Sequence, residues 1–175
     1  MRYRVWMILG VACLLATLTC GGMAMAAQRD PRAERATWLA AKERWDARGP
    51  SSYRMLLEES NCTTEYQVRE DRVAWGYETP CGRRGRTVSS LFTIIEEYAR
   101  LEPVCVGNGC PCKRVTTLEV RYDPELGFPA EIAIHVWHWP NWQSSTFWQA
   151  TLDTRSNPCG KRGGRVITVM GLIAN

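Results

Sequence analysis

Six cysteines between residues 62 and 159 are the side chains of this chain with the most easily interpreted chemistry. An even number of cysteines predicts a set of disulfide bonds in an oxidising compartment and leaves their connectivity open. The spacing from Cys105 to Cys112 does not repeat the paired pattern of structural zinc sites, so we predict disulfides and no metal. The six residues are Cys62, Cys81, Cys105, Cys110, Cys112 and Cys159.

Two turns with similar sequences contain two of these cysteines. Residues 79–86 read TPCGRRGR and residues 157–165 read NPCGKRGGR. Adjacent turns would allow a Cys81–Cys159 bridge, whereas a Cys62–Cys81 bridge would join the first strands, and the sequence leaves both open. Adjacent turns would also form an anion site for a phosphate-bearing glycan, a lipid head group or an acidic protein, although two solvated basic turns are the simpler interpretation. The basic residues concerned are Arg83, Arg84, Arg86, Lys161, Arg162 and Arg165.

The only two histidines, His135 and His138, lie in one apolar run. Side chains alternate along a strand, so this odd separation places the two rings on opposite faces and excludes joint binding of a metal. Either ring alone could serve as a general base, but no partner Ser, Cys or Asp is indicated. We therefore assign no catalytic residue and keep an extracytoplasmic hydrolase using His135 or His138 as an alternative.

Four tryptophans lie close together near the C-terminal third of the chain: Trp137, Trp139, Trp142 and Trp148. Exposed rings would form an apolar contact area of the kind that binds sugars or proteins. Buried rings would instead supply the core that a small domain needs. The sequence leaves both interpretations open.

The start of the chain has the pattern of an export signal. Arg2 and Arg4 precede an apolar stretch over residues 5–18, which is too short to span a bilayer, and Ala24-Met25-Ala26 matches the signal-peptidase pattern. We predict a signal peptide over residues 1–26, removed on export, and one secreted or cell-envelope domain over residues 27–175. No second long apolar run follows, so we predict no transmembrane helix in the mature chain.

A lipid anchor at Cys20 is disfavoured by its neighbours. Lipid-anchored bacterial proteins usually have Leu three residues before the modified cysteine and Gly or Ala directly before it. Thr17 and Thr19 occupy those positions here. Ordinary cleavage after Ala26 is therefore the expected processing.

Charge and motif content exclude several classes of function. The 22 basic and 18 acidic side chains are too nearly balanced to indicate nucleic-acid binding. The chain has no phosphate-binding glycine loop, no nucleophile-elbow motif and no zinc-protease motif. We predict no cofactor.

Helical signals occur at two places. Asp30 and Pro31 are typical of a helix start, Gly49-Pro50 of its end, and Trp38 and Trp45 share a face between them. A second helix is predicted after Thr87 and ends before Pro103. Its apolar stripe consists of Val88, Leu91, Ile94, Ile95, Tyr98 and Leu101.

Alternating apolar and polar residues predict the strands. Short turns between them indicate an antiparallel sheet. We predict an α+β domain: an antiparallel β-sheet with two amphipathic helices packed on one face, stapled by disulfides. The predicted strands cover residues 53–58, 63–68, 72–77, 118–122, 132–136, 145–152 and 166–173.

Several segments resemble one protein family. The segments are VREDRV at 68–73, TVSSLFTII at 87–95 and, above all, VRYDPELGFPAEI at 120–132. They resemble an uncharacterised bacterial family of exported and lipoprotein domains, domain-of-unknown-function family 6174, over about Trp38–Val136. The resemblance implies a small extracytoplasmic α+β domain and transfers no activity and no catalytic residues.

The expected function is therefore that of an exported, non-enzymatic binding domain. Its partner would be a protein, a glycan or an envelope component, and the alternatives are the hydrolase and a purely structural envelope component. The candidate ligand-binding residues are Trp137, Trp139, Trp142, Trp148, Arg83, Arg84, Lys161 and Arg162.

Overall fold

The computed structural model describes residues 31–76, 85–154, 157–160 and 162–175. The predicted signal peptide, Cys20, Cys81, Arg83, Arg84 and Lys161 lie outside these residues. The chain divides into two units, Met1–Trp38 and Leu39–Asn175. All the strands belong to the second unit, and the prediction of one domain over residues 27–175 stays a prediction.

The described residues form three helices and seven strands. In chain order they are α1 (Pro31–Arg48), β1 (Ser52–Glu59), β2 (Cys62–Arg69), β3 (Arg72–Gly76), α2 (Val88–Ala99), β4 (Val104–Val106), β5 (Cys112–Tyr122), β6 (Pro129–Pro140), α3 (Ser145–Thr154) and β7 (Arg162–Ala174). The predicted α+β class is confirmed.

The seven strands form one antiparallel sheet in the order β3-β2-β1-β7-β6-β5-β4. Strands β1 to β3 form one meander and β4 to β6 form another. Strand β7 lies between β1 and β6 and joins the two meanders into a continuous sheet. The register therefore places the start of β7 beside the far end of β6, where Arg162 pairs with Trp137.

Two helices cover one face of this sheet, as predicted. Alternate residues of β1, beginning with Tyr53 and Met55, are buried, whereas Arg54 and Leu56 between them are exposed. The Tyr53 ring contacts α1 through the edge of Trp45, at 5.6 Å between ring centroids. Its hydroxyl accepts a hydrogen bond of 2.9 Å from the Val88 N–H of α2. One buried side chain thus holds both helices against the same face.

The hairpins β1–β2 and β2–β3 close through tight turns without glycine. Ser60 and Asn61 have φ values of 54° and 63°, and Glu70 and Asp71 have values of 48° and 57°. Positive φ at both central residues defines the type I′ turn, whose twist matches that of the flanking strands. The register of the paired strands therefore imposes the left-handed conformation on residues that adopt it less readily than glycine does.

The turn between β5 and β6 requires glycine at position 127, because Gly127 packs directly against the backbone of α1. Gly127 has a φ of +83°, and a Cβ added there would lie 2.3 Å from the backbone oxygen of Ala41. The Asp123 carboxylate accepts backbone hydrogen bonds from Glu125 and Leu126, at 3.0 and 2.7 Å, and holds the turn closed. The turn that carries the family resemblance therefore serves as the docking point for a helix.

Helix α2 begins with a reciprocal capping box. The Thr87 side chain accepts from the Ser90 N–H, and the Ser90 side chain accepts from the Thr87 N–H at 3.0 Å. Serine thus performs the role that glutamate often has at this position. The Tyr53 hydroxyl satisfies the Val88 N–H, one of the donors that a helix start leaves without an intrahelical partner.

We expect the stability of the protein to fall at alkaline pH because of Tyr53. Burial raises the pKa of Tyr53 from 10.0 to about 12. The unfolded chain loses the phenolic proton near pH 10, while the folded protein keeps it until about pH 12, so folding becomes less favourable across that interval. The free energy of unfolding should fall by about 1.4 kcal/mol per pH unit above pH 10.

Urea denaturation at pH 9, 10 and 11 measures this slope, and Tyr53→Phe is the matched control. The variant loses the acceptor for the Val88 N–H, which should cost about 1 kcal/mol at neutral pH. It should also flatten the alkaline slope. An equal slope in both proteins would show that another group is responsible.

One predicted strand is wrong. The apolar side chains of residues 145–152 predict a strand, but these residues lie in α3. Phe147 and Thr151 are one helical turn apart, and the Thr151 hydroxyl donates to the Phe147 carbonyl at 2.8 Å. The Phe147 N–H bonds the Ser144 carbonyl at 3.2 Å, so a turn at residues 141–144 leads directly into the helix. The short strand β4 was not predicted.

Candidate functional site

Two disulfide bonds brace the end of the sheet where β4, β5 and α3 meet. Cys105 bonds Cys110 across the loop after β4, and Cys112 at the start of β5 bonds Cys159 just before β7. Their Cα–Cα distances are 5.0 Å and 5.6 Å. Phe147 of α3 packs with Cys112 and Cys159 in a small buried cluster. The predicted use of these four cysteines in disulfides is confirmed.

The sequence leaves the pairings Cys81–Cys159 and Cys62–Cys81 open, and the structure excludes the first because Cys159 bonds Cys112. The chain before β7 passes beside the start of β5, where the Cys159 sulfur lies 3.5 Å from the Pro111 carbonyl oxygen. Cys62 is also disulfide-bonded. The Cys62–Cys81 pairing stays open, because Cys81 lies outside the described residues.

Hydrogen bonds join the loop after β4 to the turn before α3. The hydroxyls of Ser144 and Thr146 donate to the Gly109 carbonyl at 2.7 and 2.8 Å. The Asn141 side-chain amide donates to the Cys110 carbonyl at 3.0 Å. Gly109 has a φ of +72°, and a Cβ there would lie 2.4 Å from a Thr146 carbon. These contacts give the region a rigid base.

Four large apolar side chains at this end of the sheet are exposed to solvent. Trp139, Trp142, Trp148 and Leu152 have exposed fractions of 59%, 62%, 48% and 75%. We call Trp142, Trp148 and Leu152 the aromatic surface.

Trp139 pairs with Lys113 and lies on the opposite face of the sheet from Cys112, with which Phe147 of α3 packs. Trp137, the remaining predicted tryptophan, is half-buried and lies on the same face of β6 as Trp139. The structure thus exposes three of the four candidate tryptophans.

The rings of the aromatic surface are held at defined angles. The Trp148 indole N–H donates to the Trp142 carbonyl at 3.0 Å. The two indole rings are 5.7 Å apart and tilted by 46°. Phe147 lies edge-on beneath both, at 77° to Trp142 and 75° to Trp148. Because one buried ring supports two exposed ones, the exposed rings are positioned before any partner arrives.

Sequence reasoning did not identify Leu152 as part of this surface. It follows Trp148 by four residues, so the two share one face of α3. A strand interpretation also places residues four apart on one face, so the four-residue spacing of Trp148 and Leu152 could have identified the pair in either case.

Two of the predicted basic residues meet at a buried carboxylate. Arg165 Nη1 lies 3.1 Å from Glu59 Oε1, and Arg86 Nη2 lies 3.6 Å from Glu59 Oε2. Arg165 also donates to the Tyr98 hydroxyl at 3.2 Å. The Glu59 side chain is only 3% exposed. These contacts commit Arg86 and Arg165 to an internal ion-pair cluster.

Of the four remaining basic candidates, only Arg162 belongs to the residues that the structure describes. Arg162 begins β7. Arg83, Arg84 and Lys161 lie outside the described residues. An anion site formed by these four side chains therefore stays a prediction.

The two histidines lie on opposite faces of β6, as the alternation predicted. His135 pairs with Thr117, and His138 pairs with Arg114. His135 lines a shallow cavity of about 410 Å³ together with Glu58. Among the residues that the structure describes, neither imidazole has a hydrogen-bond or ion-pair partner, and no three His, Cys, Asp or Glu side chains are grouped as metal ligands.

Comparisons of the chain with protein-family models, with curated proteins and with solved structures give no match. The resemblance to family 6174 thus stays a prediction based on the turn at residues 120–132 and its flanking segments. In the described ranges, no helix has the length and apolar character needed to cross a membrane.

Proposed function

We propose that this protein is an exported, non-enzymatic binding domain and that the aromatic surface is its contact site. The observation that carries the proposal is the exposure of two tryptophans and a leucine, Trp142, Trp148 and Leu152, next to a region braced by two disulfides. Apolar side chains of this size are usually buried, either in a protein core or in an interface. Export is supported by the basic and apolar start of the sequence and by the disulfide bonds.

Rigidity makes this arrangement suited to binding. A binding site whose loops become ordered only on contact binds more weakly, because the loops lose conformational entropy on binding. Here Phe147 and the hydrogen bond between Trp148 and Trp142 already fix the exposed rings. Binding therefore costs little additional conformational entropy of the rings.

A hydrolase using His135 or His138 has less support. General-base catalysis needs the imidazole within hydrogen-bond reach of the group that it activates, and hydrolases usually orient that imidazole with a second side chain. The cavity beside His135 contains Glu58 and Thr168, but no hydrogen bond joins either of them to the ring among the described residues. We therefore place binding ahead of catalysis.

We expect the double variant Trp142→Ser/Trp148→Ser to lose most of its affinity for the cell envelope. Truncating one central aromatic anchor commonly costs at least about 2 kcal/mol of binding free energy, which corresponds to about 30-fold. The measurement is co-sedimentation of the purified mature protein with washed bacterial envelope fragments that contain membrane and peptidoglycan. Circular dichroism would verify that the variant is folded.

Ile173→Ser is the matched control. Ile173 is 59% exposed but lies at the opposite end of β7 from Arg162. This variant should sediment like the unmodified protein. Failure of the unmodified protein to sediment, or equal sedimentation of the tryptophan variant, would contradict the proposal.

A further inference from the structure

We infer that the Cys105–Cys110 disulfide is a site of thiol–disulfide exchange, and that its opening by a dithiol releases the aromatic surface from its fixed geometry. Dithiothreitol is the probe for this class of reactant. The exchange chemistry depends only on the bridge and its surroundings. Its effect on binding rests on the proposed function.

The two disulfides whose partners the structure describes differ in their access to solvent. Cys105 is exposed and Cys110 is half-buried, whereas Cys112 and Cys159 are only 5% and 1% exposed. A thiolate must approach a disulfide sulfur directly, so access is one of the factors that set the rate of exchange. The short bridge is therefore attacked in the folded protein, while the buried bridge reacts only after local opening of the structure.

The surroundings give the two sulfurs of the short bridge different roles. The attacking thiolate forms a bond to the exposed Cys105 sulfur, and the bond between the two cysteines breaks with its electron pair on Cys110. The Asn141 side-chain amide donates to the Cys110 sulfur at 3.4 Å. A hydrogen-bond donor stabilises the negative charge of a thiolate, so Cys110 is the better leaving group of the pair.

The second thiol of the reductant completes the reaction. As a thiolate it attacks the reductant's own sulfur in the mixed disulfide and displaces the Cys105 thiolate. Two electrons and two protons thus pass from the dithiol to the two cysteines, and the reductant leaves as its internal disulfide. The protein then carries two free thiols, and exchange with an oxidised partner reverses the steps.

The bridge holds the loop to which the aromatic surface is anchored. Cys110 has a φ of 57°, a left-handed conformation that is unfavourable for a residue with a Cβ. Its carbonyl accepts from the Asn141 amide at 3.0 Å. The neighbouring Gly109 carbonyl accepts from Ser144 and Thr146. Opening the bridge lets Cys110 adopt more favourable backbone angles, which moves these acceptors and loosens the turn before α3.

Alkylation of the native mature protein tests the exchange site. The protein is treated with dithiothreitol without denaturant and then with iodoacetamide, and the labelled peptides are identified by mass spectrometry. We expect Cys105 and Cys110 to be labelled at least about tenfold faster than Cys112 and Cys159, because the buried bridge requires local opening. Equal rates, or earlier labelling of the buried pair, would overturn the inference.

A monothiol distinguishes the two sulfurs, because it stops at the mixed disulfide. Glutathione is added together with N-ethylmaleimide in a short pulse, so that the thiol released in the first step is trapped. We expect the glutathione adduct on Cys105 and the maleimide on Cys110. The reverse pattern would contradict the roles assigned from exposure and from the Asn141 hydrogen bond.

The double variant Cys105→Ser/Cys110→Ser reproduces the open loop without a reductant. We expect it to keep its far-ultraviolet circular dichroism and to lose part of the near-ultraviolet signal of its tryptophans. The reduced unmodified protein should show the same loss. Dithiothreitol should change the spectrum of the variant no further, which is the control against reduction of another bridge. An unchanged near-ultraviolet spectrum after reduction of Cys105 and Cys110 would overturn the release of the aromatic surface.

Sedimentation with envelope fragments connects the exchange to the proposed function. The serine variant should bind the fragments at least about fivefold more weakly than the oxidised protein, because its exposed rings must be ordered on contact. Equal binding by a variant with a loosened spectrum would contradict control of binding by the bridge. Failure of the oxidised protein to sediment would contradict the proposed function alone, since labelling and spectra decide the exchange site independently.

Discussion

Replacing Glu59 by alanine is expected to lower the free energy of unfolding by about 3 kcal/mol. The carboxylate is almost fully buried and holds Arg165 at 3.1 Å and Arg86 at 3.6 Å. Its removal leaves two guanidinium groups without their counter-charge. We place the effect at the low end of the range for buried ion pairs, because the arginine side chains keep 24–30% of their exposure and can recover some contact with water.

Two further variants test whether charge is responsible. Glu59→Gln keeps the volume and removes the charge, so it should lose most of the same stability. Glu58→Ala changes the neighbouring residue, which points to the other face and is half-exposed, and should alter stability by no more than about 0.5 kcal/mol. Urea denaturation measures all three, and equal losses for the alanine variants at residues 58 and 59 would contradict the cluster's stabilising role.

Removing the Cys112–Cys159 bridge is the second change with a large expected effect. The bridge spans 47 residues, and closing a loop of that length should stabilise the folded state by about 4 kcal/mol in the chain-entropy treatment. The double variant Cys112→Ala/Cys159→Ala also removes two sulfur atoms that pack with Phe147. We therefore expect loss of stability together with loosening of the aromatic surface.

The short Cys105–Cys110 bridge serves as the comparison for the Cys112–Cys159 bridge. Cys105 and Cys110 are only five residues apart, so Cys105→Ala/Cys110→Ala should cost about 2 kcal/mol by the same reasoning. Urea denaturation gives both stabilities, and near-ultraviolet circular dichroism reports the ordering of Trp142 and Trp148. A larger loss from the short bridge would show that local geometry, not loop length, controls the stabilisation.

The sheet was predictable because its strands alternate clearly. Tyr53, Met55 and Leu57 all fall on the buried face, and the same parity extends to Glu59. That continuation could have identified the buried carboxylate, since an acidic residue in phase with a core requires cationic partners. The identity of the partners was not predictable, because Arg165 is 106 residues away in the chain.

The exposure of the tryptophans was only partly predictable. Alternation shows that Trp137 and Trp139 share a face, but exposure depends on which elements cover that face. Helix α3 depends on tertiary contacts: Ser144 and Thr146 bond the distant Gly109 carbonyl, and these bonds position the first turn of the helix. A local pattern of apolar residues does not reveal such long-range contacts. For this reason the sequence of residues 145–152 predicts a strand although the segment is helical.

Nascent chains that stop before Arg162 would hold two separate ribbons, β3-β2-β1 and β6-β5-β4, with β1 and β6 each missing a neighbour. Unpaired strand edges are templates for aggregation. Completion of the sheet therefore waits for synthesis of its central strand, and chaperones that shield extended polypeptide would be most needed just before that moment. Deletion of residues 162–175, which removes β7, should yield insoluble protein and not a smaller folded domain.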